Sequence, residues 1–438
     1  MIRKKMKRRT KISNIAACII IASCNSMMAQ NPAPAPPQNG AVLILNATAH
    51  IGNGAVIQNS AIGFDNGKIT LVGDASQGVD TSKYKLVIHA QGKHVYPGFI
   101  NCNSTLGLTE IDLVRSTRDY DEVGEMNPNV RSAISYNTDS KIIPTLRSNG
   151  ILLAEVVPQG GTICGQSSVM QLDAWNWEDA IYKEDAGIHL NWPNMHLSRG
   201  NDNDPEDKQR ERMTNSLNKL ESYFQEAKAY AQSTPAEKNL RFESMRGLFD
   251  GSKKLFVHTY YIKAIEAAVS FCKRMGIKMV LVGGADASMA TSLLHKNNVP
   301  VILVKTHNLP PREDSDVDQP YKLPYLLHKD SVEVAISFDG SWNGRNLPFD
   351  AGTAVTYGLT KEEALMCITS VPAKILGIDQ RTGTLETGKD ANIILSTGDA
   401  LDISTNNIEE AFIQGRRTVL DDVQKQLYRK YKAKYGMR

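Results

Sequence analysis

The stretch LFVHTYYIKAIEAAVSFCKRMGIKMVLVGGADASMATSLLHKNNVPVILV, residues 255–304, alternates short apolar runs with longer amphipathic segments. The runs 255–258, 279–282 and 301–304 are almost wholly apolar, which is typical of strands that are buried on both faces. Between them, Tyr261–Met275 and Ala287–Lys296 have the spacing of helices. Strands that alternate with helices in this way predict a parallel sheet covered by helices.

The same pattern continues on both sides of this stretch, over residues 98–376. It fits a (β/α)8 barrel of the TIM type better than an open sheet. The pattern does not define the third and fourth strands, and a charged helical segment at 202–251 interrupts it, which we expect on the barrel rim. Further elements are predicted at Phe99–Cys102, Ile151–Val157, Ser168–Leu172 and Val332–Phe338 (strands) and at Thr360–Thr369 (a helix).

Both ends of the chain are rich in short β segments, over residues 41–97 and 377–422. Turn sequences such as Asn53-Gly54 separate apolar runs, which is a hairpin signal. Because chain ends often lie close together, we predict one composite β-sandwich domain built from both segments. Residues 423–438 follow with Leu427, Tyr431 and Tyr435 at helical spacing and predict a C-terminal amphipathic helix.

The composition excludes several classes of protein. The chain has 438 residues, of which 41% are hydrophobic and 22% charged, and this excludes a disordered chain, a collagen and a coiled-coil rod. The net charge is +3, but Met1–Ser23 carries seven basic residues and no acidic one, so the rest of the chain is at −4. A mildly acidic body has no overall charge bias toward nucleic acid or an anionic membrane.

The first 23 residues predict a secretory signal peptide, with a basic start and an apolar run too short to span a bilayer. Ile21–Cys24 resembles a bacterial lipobox, which would make Cys24 the lipidated first residue. The alternative is ordinary cleavage near Ala29-Gln30, although Met27 and Met28 are unfavourable there. Residues 24–40 then form a proline-rich tether. We expect an exported protein, either periplasmic or an outer-membrane lipoprotein.

Four motifs resemble the amidohydrolase superfamily, and in particular its imidazolonepropionase-like branch. They are VYPGFI at Val95–Ile100, GLTKEEAL at Gly358–Leu365, PAKILGI at Pro372–Ile378 and GTLETGKDA at Gly383–Ala391. The resemblance covers nearly all of residues 41–427. It implies a barrel hydrolase with a composite β-sandwich, whose metal ion lowers the pKa of a bound water molecule.

The metal ligands of that family are only partly present. The resemblance implies histidines at Asn101 and Asn103, where carboxamides stand instead. It also implies a histidine on strand five and an aspartate on strand eight, and these are present as His258 and Asp339. The histidine that it implies on strand six is replaced by Gly283-Gly284. Most of the metal-binding histidines are therefore replaced.

Two alternatives for the cofactor follow. Either one divalent ion, zinc or a harder cation, is held by His258 and Asp339, or the chain binds no metal, because catalytic zinc normally takes three protein ligands. Gln171 is the nearest candidate for the bridging ligand of strand four. Cys102 lies between two inward-facing positions, so we expect its thiol to point outward and to be packed.

The candidate site residues follow from the same mapping. His258 is assigned as general base and Asp339 as the proton shuttle to an amide leaving group, against the alternative that both are merely structural. Asn101, Asn103 and Arg345 are assigned to substrate binding; a surface salt bridge is the alternative for Arg345.

Two functions remain open at this point. The first is a hydrolase of C–N bonds in amides, cyclic amides or small peptides with an altered metal site. The second is a catalytically inactive protein of this fold that binds a small ligand or an envelope partner. In either case we expect no nucleic-acid partner and a membrane contact only through Cys24; self-association is left open.

Overall fold

The computed structural model describes residues 33–197, 205–234 and 236–437. The predicted signal peptide, Cys24 and the cleavage position Ala29-Gln30 lie outside these residues. The part of the predicted tether that is described, residues 33–40, contains no helix or strand. From Pro34 onward the chain forms one compact unit. Within it the backbone N–H of Ala35 donates to the Asp173 carboxylate at 2.9 Å, which fixes the end of the tether.

The described strands form two eight-stranded sheets. Strands of the first segment are β1 (Val42–His50), β2 (Val56–Asp65), β3 (Lys68–Asp74), β4 (Leu86–His89) and β5 (His94–Pro97). The barrel strands are β6 (Phe99–Ser104), β7 (Ile151–Val156), β8 (Ile163–Gln171), β9 (Ile181–Asn191), β10 (Lys254–Thr259), β11 (Met279–Gly283), β12 (Val301–Val304) and β13 (Val334–Ser337). The last strands are β14 (Ile393–Ser396), β15 (Ile408–Ile413) and β16 (Arg416–Arg417).

One sheet combines the two ends of the chain, in the order β16-β15-β14-β5-β1-β2-β3, with β4 on β1. The junction is the antiparallel pair of β14 and β5, in which Ile393 lies opposite Pro97 and Leu395 opposite Val95. Apolar side chains from both segments share one buried cluster, including Ile44, Phe64 and Phe412. The prediction of a composite β domain beside the barrel is confirmed.

The second sheet is a nearly closed barrel, in the order β6 to β13. Every residue of β6, β7 and β8 is buried, as expected for strands that are covered on both faces. The two edge strands of this sheet, β6 and β13, are joined by hydrogen bonds between side chains and the backbone. The Asn101 carboxamide donates to the Phe338 carbonyl at 3.0 Å and accepts from the Phe338 N–H at 2.9 Å, and Ser337 Oγ donates to the Cys102 carbonyl.

One strand departs from the expected parallel sheet, because β8 is antiparallel to both β7 and β9. The connections explain the reversal. Residues 157–162 join β7 to β8, and residues 172–180 join β8 to β9. A crossover between parallel strands needs a dozen or more residues, so these segments can only return the chain in the opposite direction.

Helices cover the outside of the barrel. The amphipathic helix α5 buries seven side chains, among them Ile265, Val269 and Phe271, and ends at Gly276 with a left-handed φ of 77°. In chain order the helices are α1 (Ile143–Arg147), α2 (Trp177–Ala180), α3 (Glu206–Ala231), α4 (Leu240–Asp250), α5 (Ile262–Met275), α6 (Thr291–Lys296), α7 (Gln319–Lys329), α8 (Leu347–Thr356), α9 (Lys361–Met366), α10 (Ser370–Leu376) and α11 (Val423–Lys434).

The charged segment at 202–251 contains α3 and α4. Only Leu220, Phe224 and Ala227 of the long helix α3 are buried, so most of its surface is solvated. Among the described helices, no helix has both the length and the apolar character that crossing a membrane requires. The four cysteines of the body are buried free thiols.

The Asn101 bonds make a testable contribution to stability. Asn101→Ala leaves the buried N–H and C=O of Phe338 without these partners, so we expect a loss of about 2–4 kcal/mol in the free energy of unfolding. Chemical denaturation measures it. The matched control is Asn308→Ala, since Asn308 is exposed and only caps the next N–H. If both variants lose the same small amount, the barrel does not depend on the Asn101 contact.

Candidate functional site

A large open cavity lies at the mouth of the barrel, where the carboxyl ends of several strands meet. Its volume is about 1510 Å³. Three of the residues singled out from the sequence, Asn103, His258 and Asp339, line this one cavity. Aromatic and charged neighbours complete the wall, among them Trp192, Tyr260, Tyr261, Asp286 and Arg312. The structure therefore brings the strand-one, strand-five and strand-eight positions together.

Asn101 does not reach this cavity. It is fully buried, and both atoms of its carboxamide are bonded to the backbone of Phe338. These bonds leave no free carboxamide atom for a substrate, so they do not support the assignment of Asn101 to substrate binding, which stays a prediction. Its side chain joins the two edge strands of the barrel instead.

The expected orientation of Cys102 is wrong. Its side chain packs with Leu153, Phe256, Val280 and Ile302, each from a different barrel strand, so it points into the barrel. The pairing of β6 with β7 is irregular between Asn101 and Ser104, and Asn103 has a left-handed φ of 51°. Ile100 shares this interior cluster and Phe99 lies in the outer one, so the alternation of β6 itself turns Cys102 inward. The expectation failed because it took Asn101 and Asn103 as the inward positions. Burial in the first place, and then Glu155, raise the pKa of the Cys102 thiol.

Asn103 has an unusual environment at the inner end of the cavity. Only 4% of the residue is exposed, and its backbone N–H donates to Glu155 Oε2 at 3.1 Å. Its carboxamide oxygen Oδ1 is buried and has no hydrogen-bond partner among the described residues. A buried acceptor without a donor is unfavourable, so this oxygen is available to an N–H or O–H group of a ligand.

Behind Asn103 lies a buried chain of three polar side chains, Glu155, His189 and His258, which we call the Glu-His-His chain. Glu155 Oε1 lies 3.3 Å from His189 Nε2, and His189 Nδ1 lies 2.9 Å from His258 Nε2. Glu155 and His189 are fully buried, and Ser167 Oγ also donates to Glu155 at 2.7 Å. All neighbours of the Glu155 carboxylate are thus groups that can donate to it.

The protons of this chain follow from the same contacts. A carboxylate only accepts hydrogen bonds, so Nε2–H of His189 donates to Glu155. The contact between His189 Nδ1 and His258 Nε2 holds one further proton, which the two rings share. Burial, followed by the neighbouring His189, lowers the pKa of His258 to about 3. The ring that lines the cavity is therefore neutral at physiological pH.

Glu155 and His189 were not identified from the sequence. Glu155 could have been identified, since it is the one charged residue inside the apolar run of β7. His189 lies near the end of β9, a strand that was not assigned because Lys183, Glu184 and Asp185 interrupt its apolar pattern. Gln171, the weak candidate for the strand-four ligand, is absent from the cavity lining. Its carboxamide accepts from Arg416 and donates to the Asp179 carbonyl. Because β8 is antiparallel to β7, its last residue lies near the start of β7 and away from the barrel mouth.

Asp339 follows β13 and lies at the edge of the cavity. The ammonium of Lys305 lies 2.8 Å from its Oδ1, but in an orientation that gives that oxygen no hydrogen bond. The backbone carbonyl of Asp339 accepts from the N–H of Thr105 at 3.2 Å, which fixes the loop after β13 against β6. The carboxylate is a second acceptor at the mouth.

Arg345 lies elsewhere. It lines a separate surface pocket with Thr145 of α1, Asn406 before β15 and Ile408 at the start of β15. It is not part of the described lining of the mouth cavity. The structure therefore does not bring Arg345 together with His258 and Asp339.

The metal ion that the fold implies does not fit these residues. In the described ranges, no group of three or more histidine, cysteine, aspartate or glutamate side chains could hold a metal ion. The reasons are local: Asn101 is bonded to Phe338, and facing nitrogens of His189 and His258 are bonded to each other instead of converging on a common point. His258 and Asp339 remain, and two ligands are fewer than a zinc site requires.

Comparisons with known proteins agree with the fold. Residues 215–419 match the sequence model of the Amidohydrolase family. Amidohydrolase tasK of Hapsidospora irregularis is 18% identical over 381 residues; the match covers 79% of this chain and only 38% of that protein.

Solved structures extend the likeness to most of the chain. An amidohydrolase from Thermotoga maritima MSB8 superposes with a TM-score of 0.75 at 22% identity, covering 86% of this chain and 99% of that one. A Xaa-Pro dipeptidase with bound methionine in its active site has a TM-score of 0.55 at 14% identity, with coverage of 86% and 99%. The chain thus has the barrel-and-sheet fold of these hydrolases.

The neutral state of His258 can be tested by lowering the pH. Its pKa is about 3 in the folded chain and about 6.5 in the unfolded chain, so the unfolded chain takes up the proton first as pH falls. The stabilising contribution of His258 should therefore be complete above about pH 6.5 and decrease below it, by about 1–2 kcal/mol at pH 5.

The measurement compares the free energies of unfolding of wild type and His258→Gln at pH 7 and at pH 5. The difference between the two proteins should shrink in acid. His89→Gln is the matched control, because it makes the same substitution at an exposed histidine of β4. A constant difference for His258→Gln would show that the fold does not hold this ring neutral.

Proposed function

We propose that this chain binds a small ligand of the amide or peptide class at the barrel mouth and does not carry out metal-dependent hydrolysis. The observation that carries the proposal is the hydrogen bond between His189 and His258, which uses the nitrogen atoms that a metal site would need. The likeness to proteins named amidohydrolase and Xaa-Pro dipeptidase supports a barrel that handles amide bonds in general. The closer resemblance to the imidazolonepropionase-like branch is part of the same proposal.

The chemistry of the mouth indicates what the ligand presents. Asn103 Oδ1 is a buried acceptor without a partner, and the Asp339 carboxylate, which is ion-paired with Lys305, has an Oδ1 atom without a hydrogen bond. These acceptor oxygens favour a ligand with N–H donors, such as an amide nitrogen or an ammonium group. The aromatic rings of Tyr260 and Tyr261, 48% and 41% exposed, would cover its apolar part.

A second candidate is metal-free hydrolysis of a C–N bond, and the Glu-His-His chain favours it. A carboxylate that orients one imidazole, which in turn contacts another, resembles the relay of hydrolytic triads. His258 would accept a proton from water while the water oxygen bonds to the carbonyl carbon. The C–N bond would then break, and the proton would pass to the leaving nitrogen. The low pKa of His258 makes it a weak base for this step, which is why binding is the first proposal.

One experiment separates the two candidates. The purified chain is titrated calorimetrically with a panel of amides and dipeptides, and product formation is followed separately with added zinc, with magnesium and with a chelator. We expect binding without turnover, unchanged by metal or chelator. Turnover that requires a metal would contradict the proposal, whereas metal-independent turnover that disappears in His258→Ala would select the second candidate.

Asn103 provides the control within the same assay. Asn103→Leu removes the unpartnered acceptor, so ligand affinity should fall at least about tenfold. Asn194→Leu changes the same residue type in the wall of the same cavity, where its side chain caps the N–H of His196, and should leave affinity unchanged. Equal losses in the two variants would mean that Asn103 does not contact the ligand.

We also propose export to the cell envelope, on the basis of the basic and apolar pattern of the first 23 residues. Lipidation at Cys24 and cleavage near Ala29-Gln30 predict different masses for the mature protein. Mass spectrometry of the protein isolated from membranes distinguishes them.

A further inference from the structure

The C-terminal helix α11 differs from every other long helix described, because none of its residues is buried. Its first turn is attached to the barrel, where Thr145 Oγ1 donates to Gln424 at 2.9 Å and Lys425 Nζ donates to Ser148 at 3.1 Å. Beyond that turn it makes no buried contact. A helix of this length has only marginal stability in water without packing, so we expect another surface to cover it.

One side of α11 is aromatic and apolar. Leu427, Tyr428, Tyr431 and Tyr435 follow each other at helical spacing and are 45%, 63%, 46% and 65% exposed. Tyr431 and Tyr435 stack with ring centroids 6.4 Å apart. Four large side chains on one exposed helix face are more than scattered surface residues, because they form one continuous patch.

The remaining sides of α11 are basic. Residues 423–437 contain Lys425, Arg429, Lys430, Lys432 and Lys434 and no acidic residue. Asp422 and Asp421, just before the helix, pair with the first two of these. The ammonium groups of the last three lie 5.1–6.0 Å from tyrosine ring centroids, so cations border the aromatic patch. This local charge contrasts with the mildly acidic body.

We propose that α11 lies on the surface of an anionic lipid bilayer. Tyrosine rings occupy the boundary between headgroups and acyl chains, and lysine side chains place their apolar stems along it while the ammonium groups meet lipid phosphates. The combination of an aromatic face with clustered lysines and no acidic residue matches an interfacial helix. An acidic protein or a nucleic acid would complement the charge but would not require the tyrosine patch. The contact is independent of the predicted anchor at Cys24.

Vesicle sedimentation tests the proposal with the chain from Asn25 onward, so that neither the basic first 23 residues nor a lipid anchor at Cys24 contributes; the compact unit from Pro34 onward is retained whole. We expect binding to vesicles that contain phosphatidylglycerol, little binding to phosphatidylcholine alone, and weaker binding as salt rises. The triple variant Lys430→Gln, Lys432→Gln, Lys434→Gln should lose at least about tenfold in affinity. The triple variant Tyr428→Ser, Tyr431→Ser, Tyr435→Ser should lose a similar factor, because the apolar contact is removed.

A matched control changes the net charge by the same amount elsewhere. Lys208→Gln, Lys219→Gln, Lys238→Gln alters exposed lysines of the charged segment and should keep full binding. Equal loss in this control would reduce the effect to overall charge and overturn the proposal. The proposal would also be overturned if the chain bound phosphatidylcholine vesicles equally well, or if it bound neither vesicle type. Tighter binding to a soluble polyanion, unaffected by the tyrosine changes, would overturn it as well. Thermal unfolding midpoints show that the variants remain folded.

Discussion

The architecture of the barrel mouth depends on one buried hydrogen-bonded chain, Glu155–His189–His258. A carboxylate and two imidazoles inside a barrel are costly to bury unless their polar atoms are paired. Here they pair with each other, with Ser167 and with the backbone of Asn103. The chain therefore satisfies internally polar groups that would otherwise be open to a ligand or a metal ion. Its consequence is a neutral His258 facing the cavity, which suits hydrogen bonding to a ligand better than activation of water.

The strand-one segment shows how two neighbouring residues take different roles. Asn101 closes the barrel at the backbone of Phe338, and Asn103 turns toward the cavity in a left-handed conformation. Asparagine tolerates that conformation better than most residues. Its N–H is held by Glu155, so this irregular part of β6 is bonded directly to the Glu-His-His chain.

The sequence predicted the elements whose signals are local. The apolar runs of β10, β11 and β12 and the helix α5 were located within a residue or two, because burial on both faces and helical spacing leave clear patterns. The composite sheet followed from β segments at both ends. The reversal of β8 and the role of Asn101 could not be predicted, since they depend on the short connections around β8 and on contacts with Phe338. Cys102 was placed outward because Asn101 and Asn103 were taken as the inward positions of β6. His189 was not identified because its strand β9 carries three consecutive charged residues, Lys183, Glu184 and Asp185, which interrupt the apolar pattern.

Nitrogen NMR of the chain labelled at histidine, recorded at neutral pH with and without one equivalent of zinc, shows directly whether His189 and His258 bond to each other or bind a metal ion. We expect His258 to be neutral, the two rings to share a proton across the contact of His189 Nδ1 with His258 Nε2, and zinc to leave the signals of both rings in place. Stoichiometric zinc-induced shifts of both rings would contradict this expectation, because they would show that these nitrogens converge on a metal ion.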